Sequence, residues 1–406
     1  MKQINRFVKS ILPALFLLFG FHLLSQVNNG LVAHFSFDKD TCKVEDEAGD
    51  PTILTFVNGD PVCDCGVQGQ ALRFDGTDDF FFIFGNRIEE TFTTIDFSIS
   101  FYFRVTNFTS QSMAIISKRN ECDTSNYFAI RFNPATTTIN VDLNESNTIS
   151  GTISEALPFS CWYHVVAVRR GKKTFLYING ELVAEATSTS NKRVNIFNQS
   201  ELTVGMSECF IDNNFQGFLD ELRIYNRALD ANEVKELFFA PDQIATGQSL
   251  TGINDTTIFV GGSVQTLLNR TCMDQFIWSP TTGIASGQET TSEPLLSPLE
   301  TTTYSLKLGD AFCETTDSLR IIVVDPDSLD CVQVFLPNAF TPNNDGLNET
   351  YGISNPLVIS ELISFEIFNR WGNRVFATTN PLERWDCSYK GTDINSGVFL
   401  YKVRFR

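Results

Sequence analysis

Short runs of alternating apolar and polar residues recur between Val27 and Ala240: LVAHFSF, DFSISFYFRV, YFAIRF, WYHVVAVRR, KTFLYING and GFLDELRIY. A period of two, with turn residues between the runs, describes strands that bury one face and wet the other, so the region is constrained to antiparallel sheet. Phenylalanine, 37 in the whole chain, supplies the filling for a sandwich core. The Asn-Gly pair of YINGEL, Tyr177 to Leu182, marks a two-residue hairpin, because a type I′ turn needs positive φ at both central positions. Only LDANEVKELFF, Leu229 to Phe239, has helical spacing, and Asp230 with Glu233 makes a capping-box start for it.

Ahead of these runs stand Lys2, Arg6 and Lys9, the apolar run ILPALFLLFGFHLL and the small residue Ser25, the pattern of a secretory signal peptide over 1–25. The apolar run is short for a bilayer span and contains Pro13. No transmembrane segment is expected in the mature chain. Of 30 basic and 48 acidic residues, the leader holds three basic ones and no acid, leaving a mature balance of −21. Such acidity excludes nucleic acid as an expected partner and leaves carboxylates available for calcium.

Ten cysteines follow the leader: Cys42, Cys63, Cys65, Cys122, Cys161, Cys209, Cys272, Cys313, Cys331 and Cys387. An even count in an exported chain predicts disulfides, and six, two and two per region predict that they stay within domains. His34 and His164 are the only histidines past the leader, so zinc sites and histidine-based triads lack material.

In order along 27–240, LVAHFSFD, VEDEAGD, CGVQGQALRFDGTDDF, CWYHVVAVRRGKKTFLYINGELVAEA and FQGFLDELRIYNRALDANEVKELF resemble the LamG-like jelly-roll domains, kin of the laminin-G, pentraxin and concanavalin A-like folds. The resemblance implies a jelly-roll β-sandwich, and with it a choice among lectin, adhesin, accessory module and spacer. Over 241–327 the composition shifts to Thr, Ser and Gly, and the segment resembles a PKD-like or Ig-like spacer module in which Cys272 and Cys313 are expected to pair. Trp278 lies too near Cys272 for the antibody pattern.

The segment 331–406 carries VFLPNAFTPNNDGLNE, FNRWGNRVF, RWDCSYKG and SGVFLYKV, and resembles the gliding-motility-associated C-terminal domain of Bacteroidetes. That family is the type B sorting signal of the type IX secretion system. The resemblance implies a small Ig-like sandwich, export through the periplasm to the medium or the outer cell surface, and the outer-membrane secretion machinery as partner. The residues carried over as sorting signal are Pro337, Asn338, Phe340, Pro342, Asn343, Asp345, Gly346, Asn369, Arg370, Trp371, Gly372, Trp385, Asp386, Gly397 and Tyr401. Cys387 stands where the family has glycine, and a bridge to Cys331 would account for it. The expected fold class is therefore all-β: a jelly roll plus two small Ig-like sandwiches.

N-x-D-G in the same stretch suggests an EF-hand, but that register puts Thr341 and Gly352 at positions that need Asp and Glu. No paired-carboxylate strand signature, nucleophile elbow, P-loop or HExxH is present, so no catalytic residue is assigned. If the first and last strands pair, Asp46 of EDEAGD and Asp220 of GFLDEL approach one another and, with Asp75 of FDGTDD, are candidates for one structural calcium ion. The competing reading is that these aspartates cap turns. Tyr102, Tyr127, Trp162 and Tyr163 are candidate sugar-stacking rings, with core packing the competing reading, and strand alternation allows at most one of the last two in the core. The expected function is binding of polysaccharide or of a surface protein. A structural surface component or a glycan-active enzyme are the alternatives.

Overall fold

A computed structural model describes residues 27–106, 111–246, 255–325, 334–342, 349–390, 392–394 and 397–406. The expected signal peptide, Cys331, Asn343, Asp345 and Gly346 lie outside the described residues.

Two large sheets form the first sandwich. One runs in the order Glu181–Thr187, Lys173–Ile178, Tyr163–Arg170, Phe97–Val105, Gln216–Tyr225, Gln70–Asp75 and Val62–Cys65. The other runs Ile149–Ser150, Thr138–Ser146, Tyr127–Asn133, Met113–Lys118, Leu202–Val204, Phe80–Phe84 and Leu54–Asn58. Strand Leu31–Phe35 joins the first sheet antiparallel to Gln216–Tyr225, so the first and last strands pair as expected. Between the sheets lies one apolar core in which Phe35, Phe74, Phe81, Phe92, Phe97, Phe101, Phe103, Phe128 and Phe132 are buried. The alternation that singled out these strands is therefore the alternation between this core and the outer faces.

Local signals behave as their chemistry demands. Asn179 and Gly180, at φ 50 and 80, close the predicted hairpin. Helix Ala231–Leu237 starts at Asp230, whose side chain accepts from the Asn232 and Glu233 amides while Glu233 reaches back to the cap. A second short helix, Asn86–Phe92, was not legible from spacing; it is a two-turn piece between sandwich strands that buries Ile88 and Phe92.

Residues 243–324 form a three-stranded and a four-stranded sheet around Trp278, Tyr304, Leu306 and Leu308. This core does not close on itself: it is continuous with Val67, Ala71, Tyr102, Trp162 and Phe218 on the outer face of the first sandwich sheet. Cys272 and Cys313 do not pair with each other. Cys65 bonds Cys272 and Cys161 bonds Cys313, with Cα atoms 5.6 and 5.8 Å apart, so both bridges cross between regions. The expectation of domain-confined disulfides fails because the module's two cysteines border the face that docks. Cys42–Cys63 and Cys122–Cys209 stay within the jelly roll. In place of a spacer, the chain has a module fixed to the sandwich.

The last sheet has the order Arg374–Thr378, Leu362–Phe368, Leu400–Phe405, with a hairpin of Ser388–Tyr389 and Thr392–Asp393 beside it. Its own core holds Phe365, Ile367 and Trp385. Among the described residues no helix is long and apolar enough to cross a membrane.

Candidate functional site

The three candidate calcium ligands are not brought to one place. Asp46 is spent on backbone: its carboxylate accepts from the amides of His34, Ala48 and Asp50 at 2.9, 3.0 and 3.2 Å, the turn-capping alternative. Asp220 lies fully buried at a β-bulge that puts Glu221 at φ 52, and one carboxylate oxygen accepts from the Gln68 amide at 3.0 Å. Burial pushes its carboxyl well up from the usual carboxylate range. Asp75 pairs with Gln216 across the strands, four residues along from Asp220, or about 13 Å at strand rise.

Asp75 instead gathers with two aspartates of its own loop. Asp75, Asp78 and Asp79 bring carboxylate oxygens within 4.8 Å of one another, the only such group among the described residues. FDGTDDF folds as a tight loop between strands Gln70–Asp75 and Phe80–Phe84. Asp75 accepts from the Thr77 amide at 2.6 Å, and buried Asp79 accepts from the amides of Asp75 and Asp60, each at 2.9 Å. Gly59, at φ +73, is required here, since a Cβ would stand 2.4 Å from the Asp79 carboxylate. Hydrogen bonding to the Thr77 amide lowers the Asp75 carboxyl, whereas burial raises that of Asp79, with the charges of Asp75 and Asp78 adding to it. Oxygen-only donors with partly frustrated charge suit a hard cation such as calcium. The group borders a cavity of about 470 Å³ lined also by Asp60, Arg73, Gln216 and, from the docked module, Phe312. Asp78 and Asp79 were not among the expected ligands; their adjacency to Asp75 in FDGTDD was the available signal.

The four candidate stacking rings are all buried. Tyr163 belongs to the main core, where it stacks on Phe103 with centroids 5.1 Å apart. Trp162, on the opposite face as strand geometry requires, is covered by the second module, so both rings are internal and the limit of one fails. Tyr102 receives the Phe239 amide at 2.6 Å and gives its proton to the Leu237 carbonyl.

An exposed aromatic ring occurs elsewhere. Chain 205–212 leaves the second sheet after Leu202–Val204 and returns at Asn213–Asn214, both beside strand Met113–Lys118. Between them it is pinned over the outer face by Cys122–Cys209, by Ser207 to Ser117 at 3.3 Å and by Asp212 to Arg131 at 3.2 Å. Arg131 also pairs with Asp142 at 2.5 Å. At the crest of this knuckle Phe210 is 89% and Ile211 64% exposed. An apolar pair directly after a cysteine, within the polar segment SECFIDNN, was the available sequence signal.

Around the last sheet, Asn338, Phe340, Pro342, Trp385, Asp386, Gly397 and Tyr401 line one cleft of about 970 Å³. Trp385 is buried against Phe340 and Phe399, centroids 5.6 and 4.9 Å away, and its indole donates to the Ser388 carbonyl at 2.8 Å. Asn369, Arg370, Trp371 and Gly372 form a separate hairpin tip, where the Asn369 side chain accepts from the Trp371 and Asn373 amides. Trp371 is 76% exposed, because the tip projects beyond the sheet. Pro337 leads into the cleft-lining stretch. Cys387 sits at φ 69, in the left-handed region glycine prefers, which explains the residue type the resemblance expects there.

Together these features define an all-β protein built on a jelly-roll sandwich, with a second β-module docked on it and a small C-terminal β-domain. Residues 75–235 match the concanavalin A-like lectin/glucanases superfamily, and residues 334–406 match the CHU_C type IX secretion signal domain. The chain thus carries a concanavalin A-like jelly-roll domain and a C-terminal type IX secretion signal, which points to export and to secretion or the cell surface. No curated protein matches it in sequence. Solved structures similar to it include the binding domain of botulinum neurotoxin serotype D/C, at 13% identity over 71% of this chain and 74% of that one, with a TM-score of 0.44. Another is the binding domain of Paraclostridial Mosquitocidal Protein 1, at 15% identity over 81% and 76%, with a TM-score of 0.46.

Proposed function

We infer that the exported protein works without catalysis, holding a polysaccharide or a surface-protein ligand at the outer face of the jelly roll's second sheet. The observation that carries this is the Phe210–Ile211 knuckle. A disulfide and a partly buried ion pair fix an exposed aromatic and a branched apolar side chain in place, so little ordering entropy is lost when a ligand covers them. An exposed ring of this kind also offers a flat apolar face to a sugar. A structural calcium ion held by Asp75, Asp78 and Asp79 would brace the end of the Leu202–Val204 and Phe80–Phe84 pair from which the knuckle departs, since Val204 pairs with Phe81 and the Asn214 side chain donates to the Thr77 carbonyl. Against a hydrolytic reading, Ser100 and His164 hydrogen-bond at 2.9 Å but are both buried, and His164 Nδ1 has no partner to orient it.

The test is a glycan and surface-protein array probed with the full mature chain and with Phe210→Ala. Retained melting temperature with at least about tenfold weaker binding supports the reading. Equal binding by both proteins moves the site elsewhere, and no binding by either favours a structural surface component.

A further inference from the structure

Strand Leu400–Phe405 pairs with Leu362–Phe368 on one side, and on its other side with no strand among the described residues. Tyr401, Val403 and Phe405 stand on the core side, since Tyr401 and Val403 face buried Ile367 and Phe365. Yet Tyr401 is 54% exposed and Phe405 is exposed as well. On the other face Lys402 and Arg404 are exposed, and among the described residues no ion pair holds either. Residues 334–406 hold seven basic and seven acidic side chains, so the whole −18 of the chain resides elsewhere, while residues 400–406 carry Lys402, Arg404 and Arg406 and no acidic side chain, Arg406 being paired with Glu361. An open, apolar and cationic strand edge thus belongs to an otherwise acidic protein.

We propose that the free edge of Leu400–Phe405 is a docking edge, which takes up an extended segment of another protein bearing acidic side chains at alternate positions. Unpaired amides and carbonyls of an edge strand hydrogen-bond an added strand, while alternate side chains supply specificity. Acidic residues of the guest would lie beside Lys402 and Arg404, and its apolar residues beside Tyr401 and Phe405. A second copy of this chain does not fit, because the antiparallel registers of LYKVRF with itself that keep both apolar faces on one side set Lys402 against Lys402 or Arg404, and the acidic remainder of each copy repels. At the Leu400 end of the same sheet, where Phe368 faces both Leu400 and Arg374, the hairpin tip presents exposed Trp371 as a second contact. The proposal rests on residues 334–406 being the export signal, so the export machinery is where such a segment is to be sought.

Charges on an edge also guard against aggregation, but that role is indifferent to their sign. The experiment exploits the difference. Amide exchange at Leu400–Phe405 is followed in the full chain with two peptides, one alternating valine and glutamate and one alternating valine and lysine. The glutamate peptide is expected to slow exchange there and the lysine peptide to leave it unchanged. Lys402→Glu with Arg404→Glu should reverse that preference, weakening the glutamate peptide about tenfold or more, as two cross-strand pairs turn from attraction to repulsion. Protection by neither peptide, equal protection by both, or self-association of the chain through this edge overturns the proposal. In the cell, the charge-reversed chain should reach the medium at least about tenfold less, whereas Lys402→Arg with Arg404→Lys should be exported normally. Deletion of 326–406 is the control. If the deleted chain is still exported, the signal reading itself fails; if deletion blocks export and charge reversal does not, only the docking edge is wrong.

Discussion

Arg104 of the first sandwich and Asp310 of the second module form an ion pair across their interface, with the Arg104 guanidinium almost wholly buried. Asp310 also accepts from the amides of Phe312 and Cys313, and the guanidinium lies 5.4 and 5.7 Å from the rings of Phe218 and Phe312. Removing one member of such a pair strands the other charge in an apolar site. Asp310→Ala is therefore expected to cost on the order of 3 kcal/mol in denaturant unfolding. A cost below about 0.5 kcal/mol would mean that the interface is hydrated.

The two bridges across that interface make a second expectation. With a protease site engineered into 247–254 and cleaved, the fragments should run as one species without reductant and as two with it, because Cys65–Cys272 and Cys161–Cys313 each join them. Heating the intact oxidised chain should melt the jelly roll and the second module in one transition, since they share a core. Separation of the fragments before reduction would remove both bridges.

Calcium should act through the loop aspartates. A ligand that binds only the native state stabilises it by mass action, by about 2.7 kcal/mol when its concentration is a hundredfold above the dissociation constant. Chelation should lower the melting temperature, and Asp75→Asn with Asp78→Asn should abolish that response. Asp46→Asn, in which amides and not an ion are the partners, should leave the response intact. A chelator response that survives the double substitution would place the ion elsewhere.

What could be read beforehand was whatever a short stretch of chain decides by itself. Alternation located the strands, Asn179-Gly180 the hairpin, and Asp230 with Glu233 the helix start. Relations between distant faces were not written locally. Cys272 and Cys313 sit on one module like a pair, and only the docking of that module on Val67, Trp162 and Phe218 shows that each faces a different partner. Asp46 and Asp220 do lie near the paired first and last strands, yet Asp220 stands on the Phe218 and Tyr102 side of its sheet, where the Gln68 amide is its partner. Phe210 has no local signal that separates it from the core phenylalanines; its exposure follows from the Cys122–Cys209 bridge, which joins residues far apart in the chain.

Two buried ionisable groups give the folded state opposed pH dependences. His164 is fully buried and neutral, its pKa lowered by burial and by Arg223 from 6.5 to about 3. The unfolded chain binds that proton first, so this contribution is complete above pH 6.5 and is lost as pH falls toward 3, at up to about 1.4 kcal/mol per pH unit. Asp220 runs the other way. Its carboxyl is raised by burial, so its contribution is present below the ordinary aspartate value of 3.8 and lost as pH rises through the folded value. Unfolding of His164→Gln across pH 4 to 7 should therefore show a flatter acid limb than the parent, and Asp220→Asn a flatter limb on the side of rising pH. Parallel profiles for parent and His164→Gln would mean that the ring is charged in the native state.

Two tryptophans of the export domain should respond differently to the same substitution. Trp385 is buried, touches Phe340 and Phe399, and gives its indole proton to Ser388, so Trp385→Ala removes a large part of a small core. The expected loss is about 3 to 5 kcal/mol, enough to unfold a domain of this size. Trp371 rests on no core. Its nearest ring partner is the Arg370 guanidinium at 5.1 Å, and the turn beneath it is held by the Asn369 side chain. Trp371→Ala should change unfolding by no more than about 0.5 kcal/mol, as exposed substitutions do. Both variants should lower the amount of protein reaching the medium: Trp385→Ala because the signal no longer folds, Trp371→Ala because a folded signal has lost an exposed contact. Denaturation and export measured on the same two variants separate these causes, and normal export of Trp371→Ala would leave that ring without a part in recognition.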